Sequence, residues 1–141
     1  TVLDPVLARC DWWSCNQREA ALLTGTTEPA EAARRLVSRT GHADVIVRAG
    51  PDGAVLALRV DGPDPSLSHI PAPAVTAIDT TGAGDAHAGV FLAALAADLT
   101  ASDAALRANA AAALAVTRSG PASSPSRAEL DQFLAARGLA T

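Results

Sequence analysis

The chain has 141 residues, 49% of them hydrophobic, and a formal net charge of −4, which is one domain's worth of material with enough apolar mass for a core. No run of like charge stands out, so neither a nucleic-acid backbone nor an anionic membrane is indicated as a partner. Lysine is absent and all eleven basic residues are Arg, which excludes a Walker A loop with its GK[ST] lysine and excludes lysine Schiff-base chemistry.

Val2-Leu3 ahead of Asp4-Pro5 reads as a short buried strand ending in a turn, and Trp12 and Trp13 follow as large core anchors. Cys10 and Cys15 form no CxxC pair and have no His at ligand spacing, as in a reduced chain with ordinary thiols. Asn16 to Leu23 predicts a short helix stopped at Gly25. Thr26-Thr27 opens the next, with Ala30, Ala33, Leu36 and Val37 among its apolar positions and Gly41 at its close. Asp44 to Arg48 (DVIVR) has the β-branched, apolar character of a buried strand. Gly50-Pro51-Asp52-Gly53 is a tight turn, and Ala54 to Val60 returns as a second strand, which predicts a hairpin. The Pro- and Asp-rich stretch from Asp61 to Ser68 is expected to be a surface loop. Ala74 to Ile78 is a further strand candidate, entered after Pro71 and Pro73.

From Gly82 the pattern becomes Ala-rich and helical, over about 83–98 and 102–117, with Thr100 or Ser102 as N-cap of the second helix. The stretch 86–97 is broken by His87 and Gly89, ends at Asp98, and falls short of a bilayer span. A Gly/Pro/Ser loop at 119–126 precedes a last helix over roughly 127–137, with Leu130, Phe133 and Leu134 on one face. Strands alternating with helices predict an α/β class with a mainly parallel sheet and an antiparallel hairpin at one edge. No repeat or long linker divides the chain. No basic-then-apolar leader is visible either, so the expected location is the cytoplasm. Methionine is absent even at position 1, and the expectation is a piece of a longer translation product.

The segment richest in chemistry is Asp79-Thr80-Thr81-Gly82-Ala83-Gly84-Asp85, placed after a strand candidate and opening a long helix. Its glycines let the backbone turn tightly, so that successive N–H groups meet at the positive end of a helix dipole. That arrangement stabilises negative charge on a transferring phosphoryl group, while Asp85 in the first turn can accept the proton of an attacking alcohol. A generic GxG turn is most often only a strand-to-helix connection; a seven-residue run of this kind is far more specific.

DTTGAGD followed by Ala86-His87-Ala88-Gly89 resembles the C-terminal signature of the ribokinase-like (PfkB) carbohydrate kinases. The resemblance implies that Gly82, Ala83 and Gly84 form an anion hole with Asp85 as general base, and that Asp79 and the Thr81 carbonyl help bind an activating monovalent cation, typically K+. His87 departs from the family, which usually has Phe there. A His so near the base can tune it, but a packed helix residue is the commoner case.

Further matches follow in the family's order. Asp4-Pro5 with Arg9 and Trp12 or Trp13 resembles the DPN-x-R start of the nucleotide half. Asn16-Gln17-Arg18-Glu19 with Leu23-Thr24-Gly25 resembles NxxE and its LTG stop. The resemblance implies that Asn16 and Glu19 organise Mg2+ and phosphate, largely through water, in line with the reluctance of Mg2+ to shed its hydration. By themselves these two residues are an ordinary helix cap. Val45 to Gly53 resembles the strand ending in TxG, whose Gly50 and Gly53 would pack on the nucleotide. Arg48 stands where the family has Thr, either facing a polyphosphate or bathing in solvent.

Ala108-Asn109 through Arg118-Ser119-Gly120 and Ser123-Ser124-Pro125 resembles the family's ANAAAAIAVTR-x-G…P segment. This implies Asn109 near the adenine, and Ala115, Gly120 and Ser124 as remaining cation ligands. The expected fold is the ribokinase-like three-layer, doubly wound sheet, C-terminal half only, with residues 1–141 as the nucleotide-binding and catalytic part. The sugar-binding part and its lid are absent from these residues. The implied reaction is transfer of the γ-phosphoryl of ATP to a sugar hydroxyl, with ribose as leading substrate and fructose, 2-keto-3-deoxygluconate and nucleosides open. A homodimer of the intact protein is left open. The alternative is a nucleotide-binding fragment or regulatory module without turnover. A Rossmann dinucleotide binder is disfavoured, because the glycine loop sits late, lacks GxGxxG spacing and is followed by no further strand.

Overall fold

Asn16 shows how local chemistry punctuates this chain. Its Oδ1 accepts the Glu19 amide at 2.8 Å while Glu19 Oε2 accepts the Asn16 amide at 2.9 Å. This reciprocal cap satisfies two donors at the start of helix α2 (Gln17–Thr24), which stops at Gly25 in the left-handed conformation. Helix α3 (Pro29–Thr40) begins with Pro29 in its first turn, where a missing N–H costs nothing, and ends at left-handed Gly41. Residues 2–139 are described in this computed structural model. They divide into two compact units, one ending at His69 and the other starting at Ile70.

The first unit carries a sheet in the order β1-β2-β3-β4, made of β1 (Trp12–Asn16), β2 (Asp44–Arg48), β3 (Ala54–Leu58) and β4 (Ser66–Ile70). β1 and β2 run parallel with Trp12 opposite Asp44 and Asn16 opposite Arg48. β2 and β3 form the expected antiparallel hairpin around a 3-10 turn at Gly50–Asp52. Val45, Ile46 and Val47 are fully buried, as a strand covered on both faces requires. Leu36 and Val37 of α3, Ala20 of α2 and Cys15 of β1 complete the core, with Trp13, Leu23 and Leu67 against its rim. Truncating Leu36 to Ala would cost about 2–5 kcal/mol.

The second unit is helical. Helix α4 (Ala83–Ala96) packs on α5 (Ala101–Ala115), whose buried face is almost entirely alanine, so the backbones approach closely. Thr100 caps α5 by accepting the Asp103 amide at 3.1 Å. Helix α6 (Arg127–Ala135) is capped reciprocally by Ser126 and Glu129. It lays Leu130 and Leu134 on Ala110 and Ala111, with Phe133 at the edge.

Several expectations are corrected. Residues 2–5 form no strand: Asp4–Leu7 is a short helix, α1, with Pro5 in its first turn, and Val2 is 94% exposed. β1 was not anticipated, because its WWSCN run is polar on its exposed face and too short to display a period. The loop expected over Asp61–Ser68 gives way to β4 from Ser66 onwards. Residues 74–78 pair with no strand. Instead, the Ile78 and Asp79 amides both donate to the Val116 carbonyl, at 2.7 and 3.1 Å, which satisfies them without a ladder. With one parallel and one antiparallel pairing in register, the sheet is mixed rather than mainly parallel.

Candidate active site

The glycine run folds as a turn fastened from both sides. Asp79 Oδ1 accepts the Thr81 amide and Oδ2 accepts the Gly120 amide, both at 2.9 Å. These amides, with the Thr81 hydroxyl, hold the Asp79 carboxyl below its ordinary pKa. One carboxylate therefore draws together two expected cation-site positions, Thr81 and Gly120. Gly82 then enters α4 with φ +78°, and a Cβ there would lie 2.5 Å from the Pro121 carbonyl oxygen. No other residue fits: the backbone of the 119–126 loop occupies the space.

Beyond Gly82, the Ala83 amide bonds to Thr80 and the Ala86 amide to Gly82, whereas the Gly84 and Asp85 amides donate to no partner among the described residues. Asp85 is exposed in the same turn, and its carboxylate has no hydrogen-bond or ion-pair partner among the described residues. Two free donors and an uncommitted carboxylate at the N-terminus of a fourteen-residue helix can receive an anion and take up a proton side by side.

In the first unit, Asn16, Arg48 and Gly50 line one open cleft of about 590 Å³, together with Gln17, Arg18, Ala21, Thr27 and Ala49. β1 and β2 place Asn16 beside Arg48 by register. Glu19 joins them through its Oε2, which lies 3.8 Å from Arg48 Nη2. Arg48 is four-fifths buried and its Nε has no acceptor among the described residues. Arg18 adds a second basic side chain to the cleft lining at the start of α2. Gly53 is buried beneath the hairpin and accepts the Ala49 amide at 2.7 Å through its carbonyl. Arg18 was passed over in the sequence because a first-turn arginine normally reads as a solvated surface residue. Cys15, at the end of the same strand, is buried, and its thiol is pushed up to about 11, chiefly by desolvation. It is an inert core residue.

The structure also places three more of the residues singled out. Asn109 is 4% exposed, and its side chain bonds to His87 and to the Ile70 and Pro71 carbonyls. His87 is a packed residue, stacked near Phe91 and not facing solvent beside Asp85. Ser124 is exposed, while the neighbouring Ser123 is buried with a hydroxyl that has no partner among the described residues. The Ala115 carbonyl already accepts the Arg118 amide at 3.1 Å. Among the described residues no group of three or more His, Cys, Asp and Glu side chains is arranged to hold a metal. A divalent ion here would draw part of its shell from phosphates and water.

An α/β chain with a glycine-gated helix N-terminus and a basic cleft is of the class that handles phosphate groups. Residues 1–128 match the family described as pfkB family carbohydrate kinase, and the chain belongs to that family. A fructokinase from Klebsiella pneumoniae is 38% identical over 95 residues, covering 67% of this chain and 29% of the relative. The ribokinase of Thermotoga maritima superposes with a TM-score of 0.82 at 31% identity, over 94% of this chain and 44% of that one. A fructokinase from Vibrio cholerae O395, solved with fructose, ADP and calcium ion bound, gives a TM-score of 0.80 at 31% identity over 92% and 42%. The fold is thus ribokinase-like. The chain spans under half the length of these structures and under a third of the curated relative.

Proposed function

We propose that residues 1–141 form the nucleotide-binding and catalytic part of an ATP-dependent sugar kinase, which transfers the γ-phosphoryl group to a hydroxyl of a small sugar. The observation that carries this reading is the turn at Gly82–Asp85. Its two unengaged amides and one unengaged carboxylate share the N-terminus of α4 in a chain of a carbohydrate kinase family.

In this reading Asp85 accepts the proton of the attacking hydroxyl as the oxygen bonds to phosphorus. The unengaged Gly84 and Asp85 amides, in the anion-hole run from Gly82 to Asp85, face the charge that builds on the transferring group. Gly82 keeps the turn open to the phosphoryl group, because any side chain would drive the Pro121 loop away. Arg48, Arg18 and the Asn16 side-chain amide take the nucleotide phosphates, with Gly50 and Gly53 giving the hairpin its close backbone approach. Mg2+ neutralises phosphate charge when bound, with Glu19 contacting it through water. Asp79, Thr81, Ala115, Gly120 and Ser124 would hold a monovalent cation, K+ in this reading, whose charge would help to offset that of the phosphates. The fructose and ADP held by the Vibrio cholerae fructokinase support a sugar and an adenine nucleotide as the ligand pair. Ribose comes first among substrates, because residues 108–125 resemble ribokinase most.

The test is ATP turnover against a panel of sugars, using the protein beside its Asp85→Asn variant. One sugar should be phosphorylated, and the variant should lose several orders of magnitude in kcat with its fold intact. Near-normal turnover by Asp85→Asn removes the base assignment. ATP binding without turnover of any sugar favours a nucleotide-binding module instead.

A further inference from the structure

The side chains of His87 and Asn109 form a buried polar pair that the reaction above does not use. His87 is 3% and Asn109 4% exposed, and His87 Nε2 lies 3.1 Å from Asn109 Oδ1. Asn109 Nδ2 points at two carbonyl oxygens, Ile70 at 2.8 Å and Pro71 at 3.2 Å. Carbonyls only accept, so the side-chain amide nitrogen must face them and the amide oxygen must face the histidine. The proton of the bridge therefore sits on His87 Nε2, and the tautomer is set by the network.

This pair joins three separate pieces of backbone. His87 is the fifth residue of α4, two positions past Asp85; Asn109 lies mid-way along α5; Ile70-Pro71 is the exit from β4. A helical side chain leans toward the N-terminus and covers the turn before its own Cα. The imidazole is thus anchored over the turn that carries Gly84 and Asp85. Elsewhere that turn is held by Asp79 and by the Pro121 carbonyl against Gly82, both on the side of the 119–126 loop. The alanine face between α4 and α5 has little shape to resist a small rotation or slide, since small side chains interdigitate weakly. A directional hydrogen bond supplies the missing specificity.

We infer that His87 and Asn109 are positioning residues, which fix the setting of the first turn of α4 against α5 and the 70–71 backbone. They act through Gly84 and Asp85, touching no reactant themselves. The meaning of that setting for phosphoryl transfer rests on the proposed kinase reading, but the positioning is measurable without turnover.

The experiment is amide hydrogen exchange by NMR on the 141-residue chain, comparing His87→Phe with His87→Gln. Phe keeps the aromatic bulk and loses the donor; Gln keeps a side-chain N–H near the Nε2 position and loses the ring. The reporter is the Ala86 amide, which closes the first turn on the Gly82 carbonyl at 2.9 Å. It is normalised to the Ala110 and Ala111 amides so that global stability cancels. His87→Phe should speed Ala86 exchange about tenfold, the effect of losing one buried hydrogen bond, while His87→Gln should stay within about threefold. Slow exchange in His87→Phe, or fast exchange in His87→Gln, overturns the inference and makes His87 a space-filling residue. If His87→Phe does not fold, the His87→Gln arm decides alone. A sugar panel without turnover would remove the kinase reading and leave this result standing.

Discussion

Gly82→Ala is the sharpest structural test of the turn. Two terms oppose the added methyl. The backbone at φ +78° is left-handed, which costs an L-residue about 1–2 kcal/mol. The Cβ would also lie 2.5 Å from the Pro121 carbonyl oxygen and 3.3 Å from its carbon, an overlap with backbone that costs about 1–3 kcal/mol to relieve. Gly138 isolates the first term: it lies in the same unit, has φ +67°, and a Cβ there meets nothing within 4 Å. Gly82→Ala should therefore destabilise by about 2–5 kcal/mol and Gly138→Ala by about 1–2 kcal/mol. Followed by circular dichroism on heating, the losses correspond to about 8–20 °C against about 4–8 °C for a chain of this size. Equal shifts for the two variants would mean that the Pro121 loop yields freely and does not require glycine at position 82.

Three further outcomes follow from the same geometry. Asp85→Asn should melt within about 4 °C of the parent, because the side chain is exposed and gives up only its favourable charge at the helix N-terminus; a larger drop would show a structural role and cloud any loss of turnover. Arg48→Ala should weaken ATP binding in titration calorimetry by about tenfold or more, as expected for a charge-assisted phosphate contact, while a surface arginine such as Arg59 should leave it unchanged. Glu129 is held at about 2 by the Ser126 amide and hydroxyl and by Arg118. Its folded pKa is depressed, so its stabilisation is complete above about 4.5 and is lost as pH falls toward 2. Glu129→Gln should flatten the acid limb of a stability–pH profile in that window, and an unchanged limb would place the acid sensitivity elsewhere.

The sequence alone determined the features whose physics is local. Helix starts at Asn16 and Thr100 and stops at Gly25 and Gly41 were legible because caps and left-handed glycines act within a few residues. The hairpin from Asp44 to Leu58 was legible because β-branched runs flank a Gly-Pro-Asp-Gly turn. The seven-residue run at 79–85 marked the candidate site for the same reason, since the turn, the helix dipole and the first-turn carboxylate all lie in one stretch. Tertiary structure alone decided what depends on distant partners. Residues 74–78 have strand-like composition, but the Ile78 amide goes to the Val116 carbonyl and no strand among the described residues offers a ladder. WWSCN is a strand only because β2 lies beside it. His87 and Asn109, twenty-two positions apart, became a buried pair only when α4 met α5. Nor does sequence spacing reveal that Gly82 must be glycine because Pro121 is there: a close approach between backbones leaves no signature until both segments are in place.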